Sequence, residues 1–390
     1  MSYTLYGDGI HDDTGAIQEL IDNNCEVSLP APKVCYLISK PLELHSNLRF
    51  VLPRFAEIRL KEGSNCYMLK NKTVDDYQDR IETRLFQHVN RYSLAPEARC
   101  ENIEVRGGIW NFNNKQQPPN PISIGRCDPP DYTGLCFLFY NVKNLRLSSL
   151  TMKDPANFAV TMDTVSYFTV DNITFDFNDG NLYQSNMDGI HLCGNCHHGT
   201  IENLFGTCYD DVVALNSAEG SAGPIEDVTV RGIYTENSYS AMRLYASSPE
   251  TAIRNVHISD VHGTFYHFGI CFMPAGGEGK RALYENITIE QMYGGKASRD
   301  LVKFPYVHNY RKFALIEVED GADVKNLTIA DVHRREFVDG TVPTLRFAGS
   351  AVIENLILHN ITAENFTDTD EMPFIVNKAK INGCNAPELL

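Results

Sequence analysis

One short pattern recurs along the chain at a nearly constant spacing. A polar residue, often Asn, starts each copy and is followed by alternating apolar residues, as in Asn286-Ile287-Thr288-Ile289 with Met292. An early copy begins at residue 102, and later copies begin at residues 144, 167, 198, 227, 255, 286, 326 and 355. From residue 144 the successive spacings are 23, 31, 29, 28, 31, 40 and 29 residues. A period near 30 residues is typical of a solenoid.

The apolar residues within each copy have the period-two alternation of strands, which excludes arrays of paired helices. A second short strand lies between most copies, for example at 212–215 and 241–244. Coils of two or three short strands, stacked on one another around an apolar interior, form an all-β parallel β-helix. A β-sandwich with a turn every ~8–12 residues is the alternative, and the even spacing of the copies disfavours it.

The sequence shows no linker, so we predict a single domain over 1–390. Near the start, 12–14 is an N-cap cluster, and Ala16, Ile17, Leu20 and Ile21 share one face of a short capping helix. Such a helix would cover the open end of the apolar stack. The predicted parts are an N-terminal cap at 1–30, groove loops at 71–132, regular coils at 133–365 and a C-terminal cap at 366–390.

Acidic side chains are predicted to gather on one outer face of the coils. Equivalent positions of successive coils stack about 4.8 Å apart. Aligning the inward apolar residues of the short strands places Asp188 and Asp211 in one outward column and His191 and Arg243 in another. Asp210 precedes Asp211 directly. We therefore expect three carboxylates in two adjacent coils, with a His and an Arg close by.

Such a cluster suits the cleavage of a glycosidic bond. Like charges this close raise at least one pKa, which leaves a protonated acid beside ionised partners. One carboxylic acid can then protonate the leaving oxygen while another carboxylate activates water. Two other interpretations remain open from spacing alone: a row of turn aspartates, and a calcium site built from oxygen ligands.

Four motifs resemble a known family. Asn186-Met187-Asp188-Gly189 matches an N-T-D-G motif, and 210–217 matches D-D-x-x-A-x-N-S. Segments 6–9 and 153–158 are similar to the opening motif and to an N-S-P-x-W/F motif of the same proteins. The chain thereby resembles glycoside hydrolase family 28, the polygalacturonase-like family of the pectin-lyase-like superfamily, most closely over 135–245.

The resemblance implies a right-handed parallel β-helix and a hydrolase that inverts the anomeric centre. It assigns the general-acid role to Asp210 and the activation of water to Asp188 and Asp211. It implies an oligo- or polysaccharide substrate, pectin-like or related, and no cofactor; we expect no bound metal. The carboxylates of an inverting pair stand ~6.5–9.5 Å apart, which leaves room for the water.

The sequence also departs from the family. Its G-H-G motif would fall at 239–242, which reads Tyr-Ser-Ala-Met, and its R-I-K motif would fall near 269–273, which holds no cation. These departures favour a neutral sugar, or a uronide held in another orientation, over homogalacturonan. The residues that we expect to bind substrate are His191, Arg243, Tyr245, His267 and Asn186.

Alternative functions are a polysaccharide lyase or uronate epimerase on the same fold, and a non-catalytic glycan-binding β-helix. The missing R-I-K cations count against the lyase and the epimerase, and the intact Asp triad counts against the binding protein. The segment Cys193-Gly194-Asn195-Cys196-His197 matches a haem-attachment pattern, and with His198 it offers zinc-type ligands. No second ligand pair has suitable spacing, so we interpret it as a turn lined by cysteines.

The charge balance limits the partners. With 34 Lys and Arg against 50 Asp and Glu, the formal net charge is −16. Nucleic acid and anionic lipid need a basic face, so neither is expected. No apolar window reaches the ~18 residues of a membrane span. The 11 scattered cysteines and the lack of a visible leader predict a cytoplasmic protein, or a secreted one if a leader has been removed.

Overall fold

A computed structural model describes residues 4–72, 74, 99–117, 134–178, 187–275, 279–298 and 313–389. The described part contains the helix α1 (Thr14–Asn23) and short 3₁₀ segments at Asn114–Gln116, Pro249–Thr251 and Pro387–Leu389. The strands are β1 (Glu26–Ser28), β2 (Tyr36–Ile38), β3 (Leu42–Leu44), β4 (Leu48–Val51), β5 (Glu57–Leu60), β6 (Leu69–Asn71), β7 (Cys100–Arg106), β8 (Ile109–Asn111), β9 (Phe137–Tyr140), β10 (Val142–Ser148), β11 (Thr151–Lys153), β12 (Val160–Asp163), β13 (Ser166–Asp176), β14 (Ile190–Leu192), β15 (His197–Thr207), β16 (Asp211–Asn216), β17 (Ile225–Ser238), β18 (Ser240–Ala246), β19 (Ile253–Phe265), β20 (Ile270–Pro274), β21 (Ala282–Lys296), β22 (Ile316–Val318), β23 (Ala322–Glu336), β24 (Leu345–Phe347), β25 (Val352–Asn365), β26 (Ile375–Asn377) and β27 (Lys380–Cys384).

The strands form two long sheets, and strands that neighbour each other pair in parallel. One sheet follows the long repeat strands in the order β1-β4-β7-β10-β13-β15-β17-β19-β21-β23-β25-β27, with β2, β5, β8 and β11 beside this path. The other follows the short strands in the order β26-β24-β22-β20-β18-β16-β14-β12-β9-β6-β3. Each coil therefore adds one strand to each sheet, which confirms the predicted parallel β-helix.

The polar residue that starts each repeat bends the chain. Residues 144, 167, 198, 227, 255, 286, 326 and 355 all have φ between 53° and 61°, in the left-handed region that Asn tolerates better than most residues. A second positive φ follows five residues later in each copy, for example at Asn172, Asp260 and Asn360. The two bends let one long strand turn around the interior without leaving the sheet.

The repeat asparagines also bond to each other from coil to coil. Side-chain Nδ2 groups donate to the Oδ1 atom of the preceding coil at 2.7–2.9 Å. The donor–acceptor pairs are Asn102–Asn47, Asn144–Asn102, Asn255–Asp227, Asn286–Asn255, Asn326–Asn286 and Asn355–Asn326. Tyr167 and His198 replace Asn in two coils and interrupt the ladder. Repetition of Asn thus satisfies polar groups at a bend that few residue types adopt easily.

The N-terminal helix covers the first coil as expected. Ala16, Ile17 and Ile21 are buried, whereas Leu20, which we expected on the same face, is 38% exposed. Leu20 is turned away from the core because the apolar face of this ten-residue helix is narrower than the sequence pattern suggests. Asp13 precedes the helix, but its carboxylate accepts from the backbone of Tyr6 and Gly7 instead of capping the helix.

Regular strands extend beyond the predicted coil boundaries. The strands β1 to β6 precede the predicted groove loops, β7 and β8 lie within them, and β26 and β27 lie in the predicted C-terminal cap. Much of the predicted loop region, at 75–98 and 118–133, falls outside the described residues. The predicted division into parts stays a prediction. None of the helices in the described ranges is long and apolar enough to cross a membrane.

Candidate active site

The candidate site lies on the outer face of the sheet of short strands, around β14, β16 and β18. Ile190 pairs with Val213, which pairs with Met242, so these inward residues stack as expected. The same register pairs Asp211 with Ser240 and places Arg243 two coils from His191. The outward columns that we aligned in the sequence are therefore columns of the structure.

The three aspartates meet at the start of these strands. Asp188 is 2% exposed, Asp210 is 4% exposed and Asp211 is fully buried. One carboxylate oxygen of each lies within 4.8 Å of the others. The backbone nitrogen of Asp211 donates to Oδ1 of Asp188 at 3.0 Å, so the backbone of one coil fixes the carboxylate of the previous one. Their closeness follows from the one-coil separation of the two acidic motifs.

Arg243 sits against two of the three acids. Its Nη2 donates to Oδ1 of Asp210 at 3.1 Å, and its Nε lies 3.0 Å from Oδ2 of Asp211, outside hydrogen-bond geometry. The hydroxyl of Ser240 donates to the other oxygen of Asp211. Among the described residues these aspartates are the one group with the spacing of metal ligands. The guanidinium already supplies a positive charge there, which weakens the case for calcium.

Burial and mutual repulsion keep protons on this cluster. Burial raises the pKa of Asp210 well above its usual value, and the charges of Asp211 and Asp188 raise it further against the opposing effect of Arg243. Burial likewise raises the pKa of Asp211 to about 7, with Arg243 again opposing. At neutral pH the pair Asp210–Asp211 therefore holds a proton that an exposed pair would have lost.

His191 lies beneath the cluster and is fully buried. Its Nδ1 is 2.7 Å from Oδ2 of Asp188, and its ring stacks on Phe158 with centroids 3.8 Å apart. Its Nε2 is 2.9 Å from Oε2 of Glu219, an ion-pair distance at an angle outside hydrogen-bond geometry. We had expected His191 to bind substrate. The structure places it behind Asp188, between Phe158 and Glu219.

Glu219 is a buried acid of this site that the sequence patterns missed. It lies in the turn after β16, where no period-two alternation marks inward and outward positions. The signal available in the sequence was its place two residues after the D-D-x-x-A-x-N-S motif. Gly220 follows it with φ 60°, and a Cβ at that glycine would lie 2.1 Å from Oδ2 of Asp163. The glycine thus lets the turn fold closely against the preceding coil.

The other predicted substrate-binding residues are placed differently. Tyr245 is 9% exposed and packs with Ala218 and Ala275. His267 is partly exposed and its ring lies 4.6 Å from that of Tyr239, beside the acids. Asn186 lies outside the described residues. Of the four that the structure describes, Arg243 and His267 are the most exposed. Substrate binding by any of the five stays a prediction.

The cysteine-rich turn is buried. Cys193 is 5% exposed and Cys196 is fully buried, and burial raises the pKa of both thiols. A raised thiol pKa disfavours the thiolate that zinc requires. Gly194 lies between them, and a Cβ there would be 2.3 Å from the backbone nitrogen of Gly223. The segment packs one turn against the next, in agreement with a turn lined by cysteines.

The fold and the site together define a parallel β-helix protein with a buried cluster of carboxylates on one outer face. Residues 128–239 match the family model of the glycosyl hydrolases family 28. The matched segment contains all three aspartates, and the match confirms the resemblance predicted from their motifs. No curated protein sequence is significantly similar to this chain.

Solved structures of similar shape include two enzymes and a bacteriophage tailspike protein. Endo-xylogalacturonan hydrolase from Aspergillus tubingensis has a TM-score of 0.67 at 12% identity, over 97% of this chain and 99% of that one. The family 28 exopolygalacturonase of Yersinia enterocolitica has a TM-score of 0.54 at 12% identity, over 98% of this chain and 77% of that one. A mutant tailspike protein of E. coli bacteriophage HK620 has a TM-score of 0.65 at 11% identity, over 97% of this chain and 64% of that one. At identities this low, the structural similarity shows the fold alone, and it confirms the right-handed parallel β-helix.

Proposed function

We propose that the protein is a glycoside hydrolase that cleaves an O-glycosidic bond of a pectin-like or related oligo- or polysaccharide. The observation that carries this proposal is the buried, mutually close set of Asp188, Asp210 and Asp211 inside the segment that matches the family. A hydrolase of this kind needs a carboxylic acid that holds its proton and a carboxylate that has lost it. The site can supply both at neutral pH.

The charges of the site support one retained proton. If every group were ionised, four carboxylates would face two cations, a net charge of −2 away from water. Burial makes that state costly, so the site binds protons instead. The carboxylates are Asp188, Asp210, Asp211 and Glu219, and the cations are Arg243 and a protonated His191.

The contacts favour distinct roles for the acids. Asp210 has the most exposed carboxylate of the three, and burial raises its pKa, which suits the acid that meets the leaving oxygen. Asp211 is held by Ser240 and Arg243, and Asp188 by His191. Fixed carboxylates of this kind suit the activation of a water molecule, which must be oriented toward the anomeric carbon.

Inversion rests on the resemblance and receives no support from the spacing. Selected oxygens of the acids lie within 4.8 Å, below the ~6.5–9.5 Å that separates typical inverting pairs. We retain inversion as a proposal that anomeric NMR tests. Appearance of the β-anomer from an α-linked substrate supports it, and retention of configuration refutes it while leaving hydrolysis intact.

The substrate that we favour is a pectin-related glycan other than plain homogalacturonan. Arg243 is the cation nearest the acids and is already paired with two of them. The segments 239–242 and 269–273, where the family's G-H-G and R-I-K motifs would fall, lack those motifs, and Cys271 in the second segment is fully buried. A carboxylate-bearing sugar would thus find little free positive charge among the described residues of this site. A cytoplasmic location remains a prediction.

A screen of pectic and neutral α-linked oligosaccharides tests the proposal. Hydrolysis of any member, recorded as new reducing ends without ultraviolet absorbance, supports it. Ultraviolet-absorbing unsaturated products would identify a lyase instead. Binding without turnover across the panel would favour a glycan-binding protein. This outcome deserves a test because a protein described as an adhesin is similar in shape to this chain. The surface adhesin PfbA of Streptococcus pneumoniae has a TM-score of 0.51 at 14% identity, over 98% of this chain and 91% of that one.

A further inference from the structure

We propose that Glu219 is a positioning residue that acts through His191 to hold the carboxylate of Asp188 in one orientation. The role in catalysis rests on the proposed hydrolase function, whereas the contact itself does not. The three side chains form a line, Glu219–His191–Asp188, with both ring nitrogens facing carboxylate oxygens at 2.9 Å and 2.7 Å. All three side chains are at most 5% exposed.

The line joins two coils. Asp188 and His191 belong to the coil of β14, whereas Glu219 lies in the turn that follows β16 in the next coil. That turn is drawn toward the earlier coil by backbone contacts, since Gly194 N donates to Glu219 O at 3.2 Å and Ser221 N donates to Asp163 Oδ2 at 2.8 Å. These contacts therefore place the Glu219 carboxylate on the side of the His191 ring opposite Asp188.

The chemistry of the ring explains how Glu219 reaches Asp188. An ionised carboxylate only accepts hydrogen bonds, so a ring that faces two of them is satisfied only if both nitrogens carry protons. Burial disfavours the charged ring, but its contacts with Asp188, Cys193 and Glu219 outweigh burial and raise the pKa of His191 well above its usual value. A doubly protonated ring donates to Asp188 Oδ2 at all times, which leaves the lone pairs of that carboxylate in a fixed direction.

Several other groups share this environment and must be counted in any titration. Phe158 covers one face of the ring. Asp210 and Asp211 interact with His191 from the neighbouring strand, and Tyr245 interacts with Glu219. The titratable groups around the line include Asp163, Cys193, Cys208, Asp210, Asp211, Arg243 and Tyr245.

NMR of the histidine side chains tests the contact without any substrate. In protein labelled with nitrogen-15 at histidine, the wild-type His191 ring should stay doubly protonated at pH values well above the usual histidine pKa of ~6.5. In Glu219→Gln the ring should lose a proton at a pH lower by about one unit or more, because one of its two negative partners is gone. Glu219→Asp retains the charge and should restore part of the difference, and it serves if the Gln variant does not fold.

The matched control is Glu290→Gln. Glu290 lies 2.9 Å from Nε2 of His257 on the other sheet, in a pair whose side chains are 36% and 42% exposed. This change removes the same charge from the same type of pair, and it should leave the titration of His191 unaltered. A His191 titration that is the same in Glu219→Gln as in Glu290→Gln overturns the proposal.

Kinetics then test the link to catalysis. With a cleavable glycan, Glu219→Gln should lower kcat by about tenfold or more with KM nearly unchanged, as loss of a group that orients a reacting side chain from behind commonly does. The acidic limb of the pH profile should also move. If no glycan is cleaved, the hydrolase proposal fails while the NMR result still decides the contact. If kcat and its pH profile match the control while the ring titration differs, the positioning role is refuted and the contact stands.

Discussion

Asp211→Asn should make the protein more stable above neutral pH. In the folded protein this carboxyl is fully buried between Ser240 and Arg243, and burial raises its pKa from 3.8 to about 7. Folded protein therefore binds the proton more tightly than unfolded protein between these values. Stability falls as the pH rises from about 4 to about 7 for that reason, and stays low above it. The neutral Asn removes this cost.

The size of the effect follows from the same values. At about 1.36 kcal/mol for each unit of pKa, a change from 3.8 to about 7 corresponds to about 4 kcal/mol when Asp211 is ionised. The amide of Asn can present a donor to Arg243 in place of a carboxylate oxygen, and a buried donor without an acceptor costs about 1–3 kcal/mol. We expect a net gain of about 2 kcal/mol near pH 8 and almost none near pH 5.

Thermal and urea unfolding near pH 5 and near pH 8 measure this difference. A gain of about 2 kcal/mol corresponds to a rise in Tm of about 2–4 °C for a chain of this size. Asp176→Asn is the control, because Asp176 is exposed and pairs with Lys153 at the surface, where such pairs contribute little. If Asp211→Asn is less stable than the wild type near pH 8, or if its advantage does not grow with pH, the electrostatic account of the cluster is wrong.

Three further results are expected. Arg243→Met should move the pH optimum upward by about one unit or more, because Arg243 lowers the pKa of both Asp210 and Asp211; an unchanged optimum would contradict this. Adding calcium or a chelator should leave Tm unchanged, because the guanidinium of Arg243 already contacts two of the three acids. A rise of Tm with calcium would instead support a metal site. Asn326→Ala should lower the free energy of unfolding by about 2 kcal/mol, since it removes two ladder bonds at a left-handed bend, whereas Thr328→Ala in the same strand should cost much less.

The repeat pattern was sufficient to predict the stacking of strands. Alternation within each copy defines which side chains face inward, and a parallel register then follows from aligning Ile190, Val213 and Met242. The same alignment brought Asp188 next to Asp211 and Arg243 into the neighbouring column. Every one of these residues lies on or beside a strand, where a period exists to be read.

Features in turns had no such period. Glu219 reaches His191 only because the turn after β16 folds against the previous coil. The spacing of residues in the sequence does not predict how this turn folds. The sequence showed that Asn recurs at the start of the repeats. It did not show that the chain bends there, because an alternating pattern carries no information on φ. His191 was expected at the groove because its column faces outward, but Phe158 and Glu219 enclose it there.

If Asp210 belongs to a hydrolytic site, water supplies the oxygen of each new reducing end. A cleavable glycan is digested in oxygen-18 water by the wild type and by Asp210→Asn, and the masses of the products are measured by mass spectrometry. The wild type should place one oxygen-18 atom at each new reducing end, and Asp210→Asn should be slower by about 10²-fold or more. Products without oxygen-18, or an undiminished rate for Asp210→Asn, would contradict this role of Asp210.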